Sequence, residues 1–87
     1  MKAKLTTQEI NSLKPQDKIY KVWDTLIPGY HVRVWPSGAI AFALNYRHAG
    51  KGQDYTIGKL GKYTAKTGRD EATRLMGELA RGINPQA

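Results

Sequence analysis

Apolar and polar positions alternate along the middle of this chain. Tyr30, Val32 and Val34 fall on one face, and His31, Arg33 and Trp35 fall on the other. Ile40, Phe42, Leu44 and Tyr46 repeat the pattern, with Ala41, Ala43, Asn45 and Arg47 opposite. A third segment, Asp54 to Ile57, puts Tyr55 and Ile57 on the apolar side and Asp54 and Thr56 on the polar side. A period of two predicts strands buried on one face. Pro36-Ser37-Gly38 and Ala49-Gly50-Lys51-Gly52 carry turn chemistry, so the strands are expected to form an antiparallel meander. Ile19 to Trp23 predicts a further edge strand, followed by a connection holding the Pro28-Gly29 turn signal.

The period then changes. Ala65, Gly68, Ala72, Leu75, Met76 and Leu79 recur at helical spacing and give one buried stripe. Thr64 or Thr67 can cap this helix, and Thr67 stands in box-like spacing with Asp70. Arg81 suits its C-terminus, Gly82 can close it and Pro85 prevents continuation. Ile83 could fold back on Leu79. Gly68 lies on the stripe, where close approach to the sheet would explain it. Gly77 lies opposite, with no such reason. Asp70, Arg74 and Glu78 are spaced four apart and read as a salt-bridged solvent face. A short helix is expected from Leu5 to Leu13, with Thr6 and Glu9 in capping-box spacing and Pro15 as its stop.

The predicted fold is α+β: a three- to four-stranded antiparallel sheet, one long C-terminal helix packed on one face, and a short N-terminal helix. The chain has 87 residues, which is one domain, 1–87. One sheet face needs the helix. The other is left to solvent or a partner.

Charge gives that uncovered face a meaning. Lys plus Arg number 14 against 7 Asp plus Glu, a formal net charge of +7. Such an excess on a small domain attracts polyanions, nucleic acid first among them. With no cysteine, disulfides, zinc ribbons and iron–sulfur clusters are excluded. No apolar run is long enough for a membrane span, and no h-region follows the basic start. A reducing, cytoplasmic setting is expected.

Catalytic signals are scarce. The histidines are His31 and His48, there is no HExxH, and Gly50-Lys51-Gly52 is too short for a phosphate loop. No cofactor, metal or small-molecule substrate is expected. The uncovered face presents His31, Arg33, Trp35, Asn45, Arg47, Asp54 and Thr56, with Lys51 at a hairpin tip and Ala41 and Ala43 keeping its middle low. A low, basic sheet can lie in a DNA major groove, where Arg matches guanine and Asn matches adenine. Lys2, Lys4, Lys51, Lys59 and Lys62 suit phosphate. The expected DNA-binding residues are therefore His31, Arg33, Trp35, Asn45, Arg47, Lys51, Thr56 and Lys59. The plainer alternatives stay open. Trp35 can pack on its turn, the histidines can be ordinary surface residues, and Asp54, which opposes phosphate, can orient a neighbouring Arg.

These residues carry a resemblance. Trp23-Asp24-Thr25, then Pro28-Gly29-Tyr30-His31-Val32-Arg33-Val34 and Pro36-Ser37-Gly38, resemble the opening of arm-type DNA-binding domains of phage and genomic-island tyrosine-recombinase integrases. The likeness continues through Phe42, Leu44, Asn45-Tyr46-Arg47 and Tyr55-Thr56-Ile57-Gly58 to Glu71-Ala72 and Gly82-Ile83-Asn84-Pro85. It spans Lys4 to Pro85. Two positions depart from the pattern: the helix reads Ala72-Thr73-Arg74 where Ala then Arg is usual, and Asn84 replaces an acidic residue.

The resemblance implies an N-terminal integrase domain that binds double-stranded DNA at arm-type sites, sheet in the major groove. It favours Thr64 as the helix cap. It assigns strand exchange to a separate C-terminal domain with a Tyr nucleophile and Arg/His helpers. The family's His-x-x-Arg motif is absent, so this domain is expected to be non-catalytic. Its end at Gln86-Ala87 reads as the start of a linker. The alternative is a protein-interaction module that docks other integrase subunits or an excisionase-type factor, with the edge near Ile19 open to strand addition.

Overall fold

The computed structural model describes residues 1–86; Ala87, the last residue of the expected domain, lies outside the described residues. The elements run β1 (Lys2–Ala3), α1 (Thr7–Asn11), β2 (Tyr20–Asp24), β3 (Tyr30–Val34), β4 (Ile40–His48), β5 (Lys51–Lys59) and α2 (Ala65–Ala80). The strands form one sheet in the order β1-β2-β3-β4-β5. From β2 to β5 it is the expected antiparallel meander.

The sheet has one strand more than expected. Lys2 and Ala3 pair in parallel with Trp23 and Asp24. Two residues are too short to show a period, so no alternation announced them. They also cover part of the β2 edge that looked open to strand addition.

The turns explain the strand lengths. Tyr30 N–H donates to the Ile27 carbonyl at 3.2 Å, and Gly29 between them has φ +82°. Positive φ at that position marks a type II turn. A Cβ on Gly29 would lie 2.0 Å from the Asn45 carbonyl oxygen, so β4 passes directly against this turn. The β4–β5 turn is tighter than expected. His48 pairs with Lys51, leaving only Ala49 and Gly50 as the loop. Both have positive φ, 51° and 80°. That is the two-residue turn whose twist matches a hairpin. Lys51 and Gly52, read as turn, are therefore strand residues.

The core lies between the sheet and the helices. Leu5, Ile10, Val22, Tyr30, Val32, Phe42, Leu44, Tyr46 and Ile57 pack with Ala65, Ala72 and Leu75 of α2. Met76 and Leu79 are partly buried against it. Gly68 allows the close approach expected of it. An added Cβ would meet the Tyr30 hydroxyl at 2.9 Å and the Phe42 ring at 3.0 Å.

Thr64 is the cap of α2, in a reciprocal box with Thr67. At the other end the Gly82 N–H donates to the Leu79 carbonyl and the Ile83 N–H to that of Glu78, with Gly82 at φ +80°. This is a Schellman closure. Ile83 is 42% exposed. On the solvent face Arg74 pairs with Glu71 and Glu78, while Asp70 pairs with Lys66 instead. α1 is shorter than expected, and Thr6 caps it through Glu9 N–H.

One buried ion pair fastens the layers. Asp24 accepts from both Arg69 guanidinium nitrogens at 2.7 and 2.9 Å. It also accepts from the backbone N–H groups of Leu5, Leu26 and Ile27. Burial alone would raise the Asp24 pKa, but the Arg69 and backbone hydrogen bonds outweigh it and hold it at about 2.

Candidate nucleic-acid interface

The face away from α2 is built as rows across the strands. Trp23, His31, Ala43 and Thr56 form one row by register. Lys21, Arg33, Ala41 and Lys59 form the next. Asn45 faces Asp54, and Arg47 faces Gly52 nearer the hairpin tip.

Lys59 reaches this face only through an irregularity. Thr56 pairs with Ala43 but Gly58 pairs with Phe42, so Ile57 is an extra residue in β5. Such a bulge shifts the phase by one. Strict alternation would have set Lys59 opposite Thr56; the bulge turns both the same way. Ile57 points into the core.

The face is joined by polar contacts. The Asn45 amide Nδ2 donates to Asp54 Oδ1 at 2.6 Å. Arg33 Nη2 lies 3.2 Å from Asp54 Oδ2, and Lys21 Nζ lies 3.9 Å from it. Lys21 also stands over the Trp23 ring, 5.5 Å from its centroid. The Asn45 bond, and the charges of Lys21 and Arg33, hold the Asp54 carboxyl below its ordinary range despite some desolvation.

Of the expected residues, Arg33 and Asn45 are brought together. Thr56 and Lys59 are exposed on the same face. Arg47 is exposed further along the same face, towards the hairpin tip, where its Nη1 donates to the Gly50 carbonyl at 3.4 Å. Lys51 is exposed at that tip but pairs with His48, so alternation turns it to the opposite side of the ribbon from Arg47. Trp35 lies past the end of β3. Its backbone bonds to Ala39 and Gly38 across the turn, and its side chain is half-buried.

His31 differs from a reader on the surface. It lies on this side of the sheet by alternation, yet it is fully buried, with the Trp23 ring centroid 4.5 Å away. Its Nδ1 lies 3.0 Å from the Gly29 carbonyl, and its buried Nε2 has no partner. Burial, with Lys21 and Arg33 nearby, depresses its pKa, so the ring is neutral, with Nδ1–H donating to Gly29. It supports the floor of the face and presents no surface of its own.

Lys21 and Trp23 are the residues that sequence reading missed. Alternation within β2 could have found them, because Val22 points inward and its neighbours must point out.

The family described as "Arm DNA-binding domain" matches residues 5–87. The chain belongs to that family. Curated relatives agree. Prophage integrase IntZ of Escherichia coli is 36% identical over 84 residues, 97% of this chain and 21% of its own length. The integrase of Shigella phage Sf6 is 32% identical over 81 residues, 93% of this chain and 20% of its own length. Prophage integrase IntS of Escherichia coli matches to the same extent. The arm DNA-binding chain spans about a fifth of the length of these relatives. Among its described residues, no helix is long and apolar enough to cross a membrane, and no group of three side chains is placed to hold a metal ion.

Proposed function

We propose that this domain binds double-stranded DNA at arm-type sites as the N-terminal domain of a site-specific integrase, with its open sheet face in the major groove. Arg33, Asn45, Arg47 and Thr56 read base edges, and Lys51 and Lys59 hold phosphates. The carrying observation is the clustering of Arg33 and Asn45 on a sheet floor kept low by Ala41 and Ala43. A groove that admits a β-ribbon suits such a face. Membership of an arm DNA-binding family and the integrase relatives support the same reading. On this reading, strand exchange by a tyrosine nucleophile belongs to a separate domain, which is compatible with the match covering about a fifth of the relatives' length.

Anisotropy titrations on duplex DNA across a salt series test this. Affinity should fall with a log–log slope of about −0.9 per phosphate neutralised. Arg33→Ala should cost ~1–3 kcal/mol and relax preference at one base, whereas Lys59→Ala should weaken all duplexes alike. Amide shift mapping should place the DNA on β2 to β5. Shifts centred on α2, or a salt-independent affinity, would refute the sheet reading.

A further inference from the structure

A surface that meets a polyanion is expected to avoid carboxylates, because each one repels phosphate. Asp54 is the exception on this face. It stands in the register row of Asn45 and within reach of two cations, with its side chain 37% exposed against 40% for Lys21 and 19% for Arg33. Ion pairs at such exposure add little to folding. The Lys21 pair at least adds little to stability, and the Arg33 pair is only partly covered, so stability alone gives a weak reason for a carboxylate here.

Its contacts suggest a different role. An ionised carboxylate only accepts hydrogen bonds, so the Asn45 amide must turn its nitrogen towards Asp54. That leaves Asn45 with one N–H and its carbonyl oxygen, the pair that matches N7 and N6 of adenine. Asp54 Oδ2 engages one end of the Arg33 guanidinium and leaves the other donors free, enough for a fork on guanine O6 and N7. It also draws Lys21 inward, at 3.9 Å.

We propose that Asp54 is a specificity-determining positioning residue: it fixes Asn45 and Arg33 as adjacent adenine and guanine readers, and it withholds Arg33 and Lys21 from phosphate. This rests on the major-groove reading above and adds what sets its discrimination. A negative charge at this position weakens attachment to any duplex and sharpens the choice among duplexes.

The test starts from a duplex library with a randomised core, selected in parallel by wild type and Asp54→Ala. Wild type should enrich a defined motif with adenine and guanine positions, and the variant a more degenerate one. Anisotropy on the wild-type motif and a scrambled duplex then gives the ratio of the two Kd values. Asp54→Ala should bind the scrambled duplex more tightly, with a salt slope steeper by about 0.9 for each cation released to phosphate. It should lose about tenfold of the ratio, the scale of one bidentate base contact. Asn45→Ala should lower the ratio in wild type but add little to Asp54→Ala, as coupled residues do. If the alanine variant melts early, Asp54→Asn, of the same shape without the charge, should show the same two changes in a folded protein. A variant that keeps the wild-type motif and ratio overturns the proposal and leaves groove reading intact. A wild type that enriches no motif overturns groove reading, and this role of Asp54 with it.

Discussion

Two glycines of α2 meet opposite surroundings. A Cβ on Gly68 would press on Tyr30 and Phe42 at about van der Waals limits or below, whereas one on Gly77 would meet nothing within 4 Å. Gly68→Ala should therefore destabilise by ~1–3 kcal/mol through overpacking. Gly77→Ala should stabilise by up to ~1 kcal/mol, because alanine is the better helix former. Urea titrations of the two variants check both signs. Acid stability is also decided by single residues. Asp24 titrates at about 2 when folded against an ordinary 3.8, so its stabilisation is complete above 3.8 and lost as pH falls towards 2. His31 is depressed from 6.5, so the unfolded chain takes up that proton first and stability begins to fall below 6.5. Urea midpoints should thus decline in two stages on acidification from neutrality; Asp24→Asn should shrink the lower stage, to which the depressed Asp54 also contributes. Neither residue's partner was legible in the sequence. Arg69 is 45 positions from Asp24, and no local pattern joins them. His31 was correctly assigned to its side of the sheet, but its burial depends on Trp23 of the neighbouring strand.

At the level of elements, the long periodic segments were legible and the short or phase-shifted ones were not. β3, β4 and α2 announce themselves because their periods run for several residues. β1 has no period to show. The bulge at Ile57 breaks the phase of β5, so Lys59 belongs to the open face for a reason that strict alternation contradicts. The β4–β5 turn offers a test of local strain. Ala49 holds φ +51°, a region costly for a residue with a Cβ, and asparagine tolerates it better. Ala49→Asn should raise stability by about 1 kcal/mol, seen as a higher melting temperature. No change would mean that the loop relaxes to another turn in solution.

For the whole molecule, the proposed function and the stability draw on opposite faces. The apolar side of the sheet is covered by α2, which leaves the charged side open; under the proposed reading the net charge of +7 draws that side to DNA. Between them runs the Asp24 ion pair, which one carboxylate shares among the backbone of residue 5, the turn at 26–27 and the side chain of Arg69. Arg69 also donates to the Leu5 carbonyl at 3.3 Å. Fraying of the first residues would take one hydrogen-bond partner from each charge, the Leu5 N–H from Asp24 and the Leu5 carbonyl from Arg69, so opening the N-terminal segment weakens the contact that holds the start of α2. Native-state hydrogen exchange should find the amides of Leu5, Ile27 and Gly68 sharing one opening free energy, the mark of a single cooperative unit. Independent exchange at Leu5 would show that the beginning of the chain is only laid against the fold and not locked into it.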